Sequence, residues 1–304
     1  MADKARKWTD AQLKDMEARV RKIYKQARRE ITAEWDEYMK HGQERLSVLY
    51  DLYVNAPYGE KQAAKKAYQD ALNAYTLKNN RYNDMIADVT KRLASVNQIA
   101  IAYLNGELPQ IYQVNYNQAV KGVKQLGIDF TIVDEATIAR RISDGDITLP
   151  YKQLDPIKDV RWNTKQLNSS LLQGLLQGES ITKIAERILP IVGNNEKAAI
   201  RNARTMVTGA ENQGRLDRYK DLEKKGAVLN KVWIATHDGR VRDWHISMDG
   251  QEVGIHQKFT DGNGQQLDYP ADPHAHPNTV YNCRCSMKTH IIGVKSPNGR
   301  ITYL

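Results

Sequence analysis

The sequence predicts an α+β protein in which a long, mainly helical N-terminal region is followed by a small α+β C-terminal module. Apolar residues from Leu13 to Tyr38 recur every three or four positions, which predicts one long amphipathic helix reaching about residue 40. Helical patterns continue as far as Gly226, a residue type that commonly ends helices. Beyond Gly226 the chain is rich in Gly, Asp, His and Pro. Two stretches there are typical of strands, "KVWIAT" and "TVYNCRCSMKTHIIGV".

Capping and turn signals divide the helical region. Thr9 and Gln12 have the spacing of a capping box, which predicts that the first helix begins there. The stretches "NAPYGE" (55–60) and "NGELP" (105–109) combine Pro, Gly and Asn, so we expect the helices to break at both. Ser180 is expected to cap a short helix further along the chain.

These signals predict three parts: an extended helical docking region over 1–125, a helical connector over 126–195 and the α+β module over 196–304. The apolar seam of the first helix must be covered by a neighbouring helix or by another protein. The chain contains sixteen Tyr but only two Phe, a composition that suits thin helical layers and interfaces.

Basic residues are concentrated near the N-terminal end of the chain. The net charge is +9, and residues 1–29 carry ten Lys or Arg against four Asp or Glu. Such a run is either a solvated helix face or a surface for DNA. We expect no membrane span, since no run of about eighteen apolar residues is present. Without a secretory signal, and with two Cys, the chain is expected to fold in a reducing cytoplasm.

Both cysteines lie in the stretch "HPNTVYNCRC", residues 276–285. A disulfide between Cys283 and Cys285 would close a strained ring, so we do not expect one. Two alternatives stay open: a pair of buried structural thiols, or two ligands of a zinc ion. For a zinc site we expect His245 as the third ligand and His276 as the fourth. Such a closed site would stabilise a module whose own apolar core we expect to be thin.

Five segments in order resemble a known family: "RNARTMVTGAENQGRLDRYK", "KVWIATHDGRVRDWH", "MDGQEV", "LDYPADPHAHPN" and "NCRC". This series is similar to the phage head morphogenesis proteins, or minor head proteins, that carry the Mu F-like domain. The resemblance covers about 162–290. It implies a structural protein of a tailed bacteriophage, located in the virion at the capsid interior or portal region and in the host cytoplasm during assembly. Its implied partners are the portal protein and the major capsid or scaffolding protein.

Many members of that family carry a C-x-x-C segment that completes a cysteine quartet with C-x-C. Here Arg242 stands where the first Cys would be, and His245 where the second would be. A guanidinium stays protonated and cannot bind zinc. Arg242 therefore leaves one ligand position open, or it replaces the metal by pairing with Asp238, Asp243 or Asp272.

Other family-like positions are expected to form turns or ion pairs rather than to catalyse. Arg204 is expected to pair with a carboxylate of the module, and Asn282 to shape the turn that carries the cysteines. The full set of expected turn or ion-pair residues is Asp238, Arg240, Arg242, Asp249, Arg204 and Asn282.

The alternative to a structural protein is a metal-dependent nuclease or hydrolase that uses the His/Asp/Cys cluster. Its candidate residues are His237, Asp238, His245, Asp249, His274 and His276. The sequence contains no H-E-x-x-H, Walker A or G-x-S-x-G motif, so we expect no enzyme. Some relatives carry a toxin domain after the module. We expect none here, since the chain ends fourteen residues after His290.

Overall fold

The computed structural model describes residues 4–40, 43–76, 80–119, 127–296 and 298–303. The helices are α1 (Lys4–Lys40), α2 (Gln43–Asn55), α3 (Lys61–Thr76), α4 (Asn80–Gln118), α5 (Glu135–Ser143), α6 (Pro156–Gln177), α7 (Ile181–Glu186), α8 (Leu189–Lys224), α9 (Asp243–Ile246) and α10 (Pro277–Val280). The strands are β1 (Ala227–Ile234), β2 (Glu252–Gly254), β3 (Phe259–Thr260), β4 (Gln266–Leu267), β5 (Ser286–Lys295) and β6 (Ile301–Tyr303). The predicted α+β class, with helices first and the sheet near the C-terminal end, is confirmed.

The chain divides into two compact units. The mixed unit comprises Met1–Glu17, Tyr103–Lys152 and Ile200–Leu304, and the helical unit comprises Ala18–Ala102 and Gln153–Ala199. Helices α1, α4 and α8 each contribute residues to both units. These units do not coincide with the predicted ranges 1–125, 126–195 and 196–304, which stay a prediction.

In the helical unit, the predicted apolar seam of α1 is buried by the chain itself. Val20, Ile31 and Trp35 are each at most 1% exposed, and Tyr24 joins them from the next turn of the helix. Of the two expected ways to cover the seam, a neighbouring helix or another protein, the structure shows the first. Because the seam is covered, it is not available as a surface for docking on another protein.

Two boundary predictions in the helices are wrong. Helix α1 begins at Lys4, so Thr9 lies inside it, and the buried Thr9 hydroxyl accepts a hydrogen bond from Asn115 Nδ2 at 2.8 Å. Helix α4 continues through "NGELP" with Pro109 inside it. Packing overrides the local signals there, since Leu104 and Leu108 are fully buried and favour helical continuity.

Other local signals are confirmed. Helices α2 and α3 are separated at 56–60, within "NAPYGE". Ser180 caps α7, where its side chain accepts from the Lys183 amide at 3.4 Å. Gly226 follows α8 with φ of +98°, a left-handed conformation that suits a glycine after a helix.

The sheet of the mixed unit is antiparallel, with strand order β2-β1-β5-β6. Trp233 of β1 lies opposite Met287 of β5, and both belong to a buried apolar cluster that also contains Phe259, Cys283 and Cys285. The expectation of a thin core is therefore wrong, because the cysteines form part of a continuous apolar core that includes residues of α8.

The second predicted strand begins later than "TVYNCRC" suggests. Residues Pro277–Val280 form the short helix α10, residues 281–285 have no regular structure, and β5 starts at Ser286. Pro277 occupies the start of α10, a position where its missing N–H costs nothing. Consequently neither cysteine lies on a strand.

No helix among the described residues is both long enough and apolar enough to cross a membrane.

Candidate functional site

The two cysteines lie in a loop of residues 281–285, called here the cysteine loop, whose backbone is held by side chains from elsewhere in the mixed unit. Thr208 Oγ1 of α8 donates to the Cys283 carbonyl at 2.8 Å, and Thr236 Oγ1 donates to the Arg284 carbonyl at 2.6 Å. Asn212 Nδ2 donates to the Cys285 carbonyl at 3.2 Å. Three consecutive buried or part-buried carbonyls thus have partners, which fixes the loop in one conformation.

Asn282 gives the cysteine loop its turn. Its φ is +56°, in the left-handed region that Asn tolerates better than most residues, and its amide donates to Thr205 Oγ1 at 3.1 Å. On a regular strand, the side chains of residues two positions apart would point the same way but stay separated. The turn at Asn282 comes directly before the two cysteines, and both cysteines contact His245. This geometry agrees with the expectation that Asn282 shapes the turn carrying the cysteines.

The structure brings His245, Cys283 and Cys285 together in the core. His245 Nδ1 lies 3.5 Å from Cys285 Sγ and 3.8 Å from Cys283 Sγ. The ligand atoms of all three residues lie within 4.8 Å of one another, and each residue is at most 2% exposed. Both cysteines are free thiols rather than a disulfide.

His245 is placed by α9, the short helix that follows β1. Its ring packs edge-on against Trp233, with ring centroids 5.5 Å apart at an interplanar angle of 74°. The second ring nitrogen, Nε2, is buried and has no hydrogen-bond partner among the residues that the structure describes. A buried imidazole whose polar contacts are two thiols suits soft-metal chemistry better than a structural hydrogen-bond network.

The hydrogen bond between the two cysteine side chains shifts their pKa values in opposite directions. A hydrogen bond from Cys283 lowers the pKa of Cys285, and the adjacent His245 lowers it further. The same interaction with Cys285, together with complete burial, raises the pKa of Cys283. The Cys285 sulfur is therefore the one that carries negative charge first, and a thiolate is the form of cysteine that binds metals.

The donor set fits zinc in chemistry and spacing. Zinc bonds to Cys sulfur and His nitrogen are about 2.0–2.3 Å long, so neighbouring ligands of a tetrahedral site lie roughly 3.3–3.8 Å apart. The two sulfur-to-nitrogen distances, 3.5 and 3.8 Å, fall in that range. Within the described part of the chain, no fourth His, Cys, Asp or Glu joins the group.

His276, the expected fourth ligand, is placed elsewhere. It is exposed and caps α10, where its Nδ1 accepts from the Asn278 amide at 3.3 Å. The stretch "DPHAHPN" therefore supplies a helix cap rather than a ligand of this cluster.

Arg242 also has a partner that the sequence did not predict. Its guanidinium donates to the Tyr281 carbonyl, at the first residue of the cysteine loop. The carboxylate of Asp238 is taken instead by Arg284, which binds both of its oxygens, and by Arg240 at 3.5 Å. The expected ion pair between Arg242 and a carboxylate is therefore wrong. Arg284, which lies inside the cysteine loop, occupies the Asp238 carboxylate, and Arg242 binds a backbone carbonyl instead.

Two further expected ion-pair residues are accounted for. Arg204 pairs with Glu17 of α1 at 2.6 Å, not with a carboxylate of the C-terminal module, because α1 packs beside α8 within the mixed unit. Asp249 closes a turn, accepting from the Ala235 amide at 2.8 Å while its second oxygen lies 3.1 Å from His237 Nε2.

The other histidines named for the hydrolase alternative form separate pairs at the surface. His237 faces Asp249, and His274 faces Asp272 at 3.1 Å. Among the described residues, His245, Cys283 and Cys285 make up the one group of three or more potential metal ligands. Over the ranges that the structure describes, these side chains therefore do not converge as the carboxylates and imidazoles of a hydrolytic metal site would.

Sequence reasoning missed a buried ionic network beside the cysteine loop. Glu211 of α8 is 2% exposed and accepts from Arg6 at 3.3 Å, from Arg215 at 3.2 Å and from Ser286 Oγ at 3.3 Å. Arg6 also donates to the carbonyl of Arg284 in the loop. The i, i+4 spacing of Glu211 and Arg215 was a local signal, whereas nothing local marks Arg6 as their partner.

Comparison of the sequence with known families finds a match in the C-terminal half of the chain. The sequence profile of the family described as Phage Mu protein F like protein matches residues 165–288. The matched range contains α8, the sheet strands β1 and β2, and all three members of the cysteine cluster.

A longer relationship is found with one phage protein. The chain is 22% identical to the minor head protein GP7 of Bacillus phage SPP1 over 233 residues, which are 75% of this chain and 73% of the SPP1 protein. The predicted resemblance to phage minor head proteins with a Mu F-like domain is confirmed by these two matches.

A shorter match is to an enzyme. The chain is 29% identical over 96 residues to the NAD(+)–arginine ADP-ribosyltransferase EFV of Enterococcus faecalis (strain ATCC 700802 / V583). The match covers 32% of this chain and 20% of that enzyme, so it does not carry the enzyme's activity to this chain. No solved structure matches the chain at a comparable level of significance.

Proposed function

We propose that this protein is a structural minor head protein that acts in the head morphogenesis of a tailed bacteriophage. The observation that carries this proposal is the Mu F-like domain at 165–288, together with similarity to the SPP1 minor head protein over three quarters of the chain. The structure supplies compatible chemistry, since the clustered polar residues of the mixed unit fix a loop rather than line a reaction site.

Within the virion, the protein is proposed to lie at the capsid interior or the portal region. Its partners are the portal protein and the major capsid or scaffolding protein of the same phage. Co-expression with the tagged portal protein tests this assignment: the chain should co-purify with the portal in a fixed ratio. Recovery of the portal alone, from cells that contain folded chain, would contradict the portal contact.

The protein is proposed to act without catalysis. Within the described residues, the one group of potential metal ligands is buried, so a DNA backbone has no access to it. Purified protein incubated with DNA and Mg²⁺, Mn²⁺ or Zn²⁺ should leave the DNA intact. Cleavage that requires a divalent ion and disappears in His245→Ala would overturn this proposal.

The outward face of α1 is proposed to contact packaged DNA. Lys22, Lys25 and Arg29 are exposed, and their i, i+3, i+7 spacing places them on one side of the helix, opposite the buried seam. A row of cations on one helix face is suited to bind phosphates without reading sequence.

Salt dependence tests this DNA contact. Each phosphate contact contributes roughly −0.9 to the slope of log affinity against log salt, so reversing all three charges to Glu should reduce the slope by about 2–3. Lys91→Glu, at an exposed position of α4, is the matched control and should change the slope by less than about 1. An unchanged slope in the triple variant would exclude α1 as the contact.

The cysteine cluster is proposed to hold one structural zinc ion, bound by His245, Cys283 and Cys285. When bound, zinc would link α9 to the cysteine loop and so stabilise the mixed unit. Two observations support this proposal: the donor spacing, and the buried Nε2 of His245, which has no hydrogen-bond partner in the described part of the chain.

Elemental analysis of the purified chain tests the zinc proposal. About one zinc per chain is expected, and Cys285→Ser should lose it and melt at a lower temperature. His276→Ala, at the exposed histidine outside the cluster, should keep the metal. Metal-free protein that melts at the same temperature as protein supplied with zinc would overturn the proposal and leave the cluster as buried thiols.

A further inference from the structure

The mixed unit contains a second feature that the head role does not explain: a surface pocket beside the cysteine loop. Its volume is about 180 Å³. The lining is mainly apolar and comes from the 150–152 segment, from α8 and from residues 271–281. The side chains that define it include Pro150, Tyr151, Met206, Pro273, Pro277 and Tyr281.

The size of the pocket limits what it can hold. Sites for drug-sized ligands and cofactors have volumes of roughly 300–1,000 Å³. At about 180 Å³ this pocket is too small for such a molecule, but it suits one large side chain of another protein. Anchor residues at protein interfaces fill pockets of this kind and contribute most of the binding energy.

Two residues beside the pocket have a left-handed backbone conformation, which is uncommon in residues other than glycine. Among the described residues, two that are not glycine have positive φ, Ala271 at +62° and Asn282 at +56°. Ala271 lines the pocket, and Asn282 directly follows the lining residue Tyr281. Such conformations concentrate where a chain has to present a particular surface.

Close packing against α8 holds Ala271 and its neighbours in the pocket wall in place. A Cβ added at Gly209 would meet the Ala271 carbonyl at 3.0 Å and Pro150 Cγ at 3.2 Å. The glycine therefore lets two loops that are distant in sequence approach one helix turn and leave the pocket between them.

The charged side chains at the pocket are positive. Lys152 lines it, and the guanidinium of Arg201 lies 5.1 Å from the centre of the Tyr281 ring. The lining contains no carboxylate, and in the described part of the chain neither cation has an ion-pair partner. The nearby Asp272 is 2% exposed and already accepts from the amides of Asp268 and His274.

We propose that this pocket is a docking site for an extended segment of another protein that carries one large apolar side chain next to a carboxylate. The apolar side chain enters between Tyr151, Met206 and Tyr281, while the carboxylate pairs with Lys152 or Arg201. The proposal goes beyond the head role and stands without it, since it rests on the shape and charge of the pocket alone.

Selection of random short peptides, displayed on yeast and bound to the fluorescently labelled full chain, tests the proposal. The enriched peptides should share a Trp, Phe, Leu or Met next to Asp or Glu. Their affinity, measured by fluorescence anisotropy, should fall about tenfold, or ~1.4 kcal/mol, in Ala275→Leu, which fills the pocket from its wall. Arg201→Glu should have a similar effect through charge, and because Arg201 is exposed, this variant should fold normally.

Matched controls separate the pocket from general changes of surface. Ala139→Leu and Arg140→Glu make the same substitutions at exposed positions of α5 in the mixed unit and should keep affinity within about twofold. Three results would overturn the proposal: no enriched consensus, a basic consensus, or binding that survives both pocket variants. Self-association of the wild-type chain that Ala275→Leu abolishes would also overturn it, because the occupant would then be a second copy.

Discussion

The buried ion network beside the cysteine loop gives the sharpest test of how the mixed unit is held together. Replacing Glu211 by Ala removes the carboxylate that Arg6, Arg215 and Ser286 share. Breaking a buried pair by removing one partner costs about 3–5 kcal/mol, since the remaining charges stay desolvated. Arg6 is 23% exposed and recovers some hydration, so the lower value, about 3 kcal/mol, is expected.

A loss of about 3 kcal/mol corresponds to a fall in Tm of roughly 6–12 °C for a domain of this size, measurable by differential scanning calorimetry. Glu30→Ala is the matched control. Glu30 pairs with Arg92 at 2.9 Å, but the two side chains are 42% and 37% exposed. Exposed pairs contribute about 0–1 kcal/mol, so the control should lower Tm by no more than about 4 °C.

Glu211→Gln separates charge from shape. It keeps an acceptor for Ser286 and both arginines but removes the negative charge, so its Tm should lie between those of the wild type and Glu211→Ala. If Glu211→Ala lowers Tm no more than Glu30→Ala does, the network does not hold the cysteine loop and the physical reasoning is wrong.

Three further predictions address other parts of the chain. Gly214→Ala should destabilise the protein by about 1–3 kcal/mol in urea unfolding, since the new Cβ would lie 2.6 Å from the Tyr112 carbonyl oxygen. Gly106→Ala is the control: its Cβ would meet nothing within 4 Å, so it should stabilise the helix by about 0.5–1 kcal/mol. Burial lowers the pKa of Lys231 to about 8 from 10.5, so the unfolded chain holds that proton over a range in which the native chain has lost it. Stability relative to Lys231→Met should therefore rise between about pH 8 and pH 10.5, and a flat difference would refute this sign. Limited proteolysis followed by mass spectrometry should cut first at 56–60, where Tyr58 is 99% exposed, and early cleavage within the α4 helix would contradict the continuous helix.

Local signals in the sequence predicted the elements that local physics controls. The seam of α1, the cap at Ser180 and the turn after Gly226 each depend on residues within a few positions of one another. The break expected at 105–109 is wrong because burial of one helix face on both sides of Pro109, at Leu104, Leu108 and Ile111, outweighs a local propensity.

The sequence predicted the three clustered side chains of the candidate site but not the residues that position them. Two thiols and a nearby imidazole are a recognisable donor set, so His245 was identified as a partner for the cysteines. The residues that position the loop could not be found this way. Arg6 and Glu211 are 205 positions apart, and Thr208 and Cys283 are 75 apart, so only the folded chain shows that they meet.

His276, the expected fourth ligand, shows that closeness in sequence also misleads. His276 is close to the cysteines in sequence, yet α10 and the turn at Asn282 lie between them and the histidine caps the helix instead. Proximity along the chain is a poor guide to proximity in space when a turn intervenes.

Quantitative mass spectrometry of purified phage particles tests the head assignment most directly. The chain should be present in intact virions and in heads separated from tails, at a few copies per particle and in constant ratio to the portal protein. Its absence from washed heads of a phage whose infected cells contain the folded chain would contradict a structural role in the head.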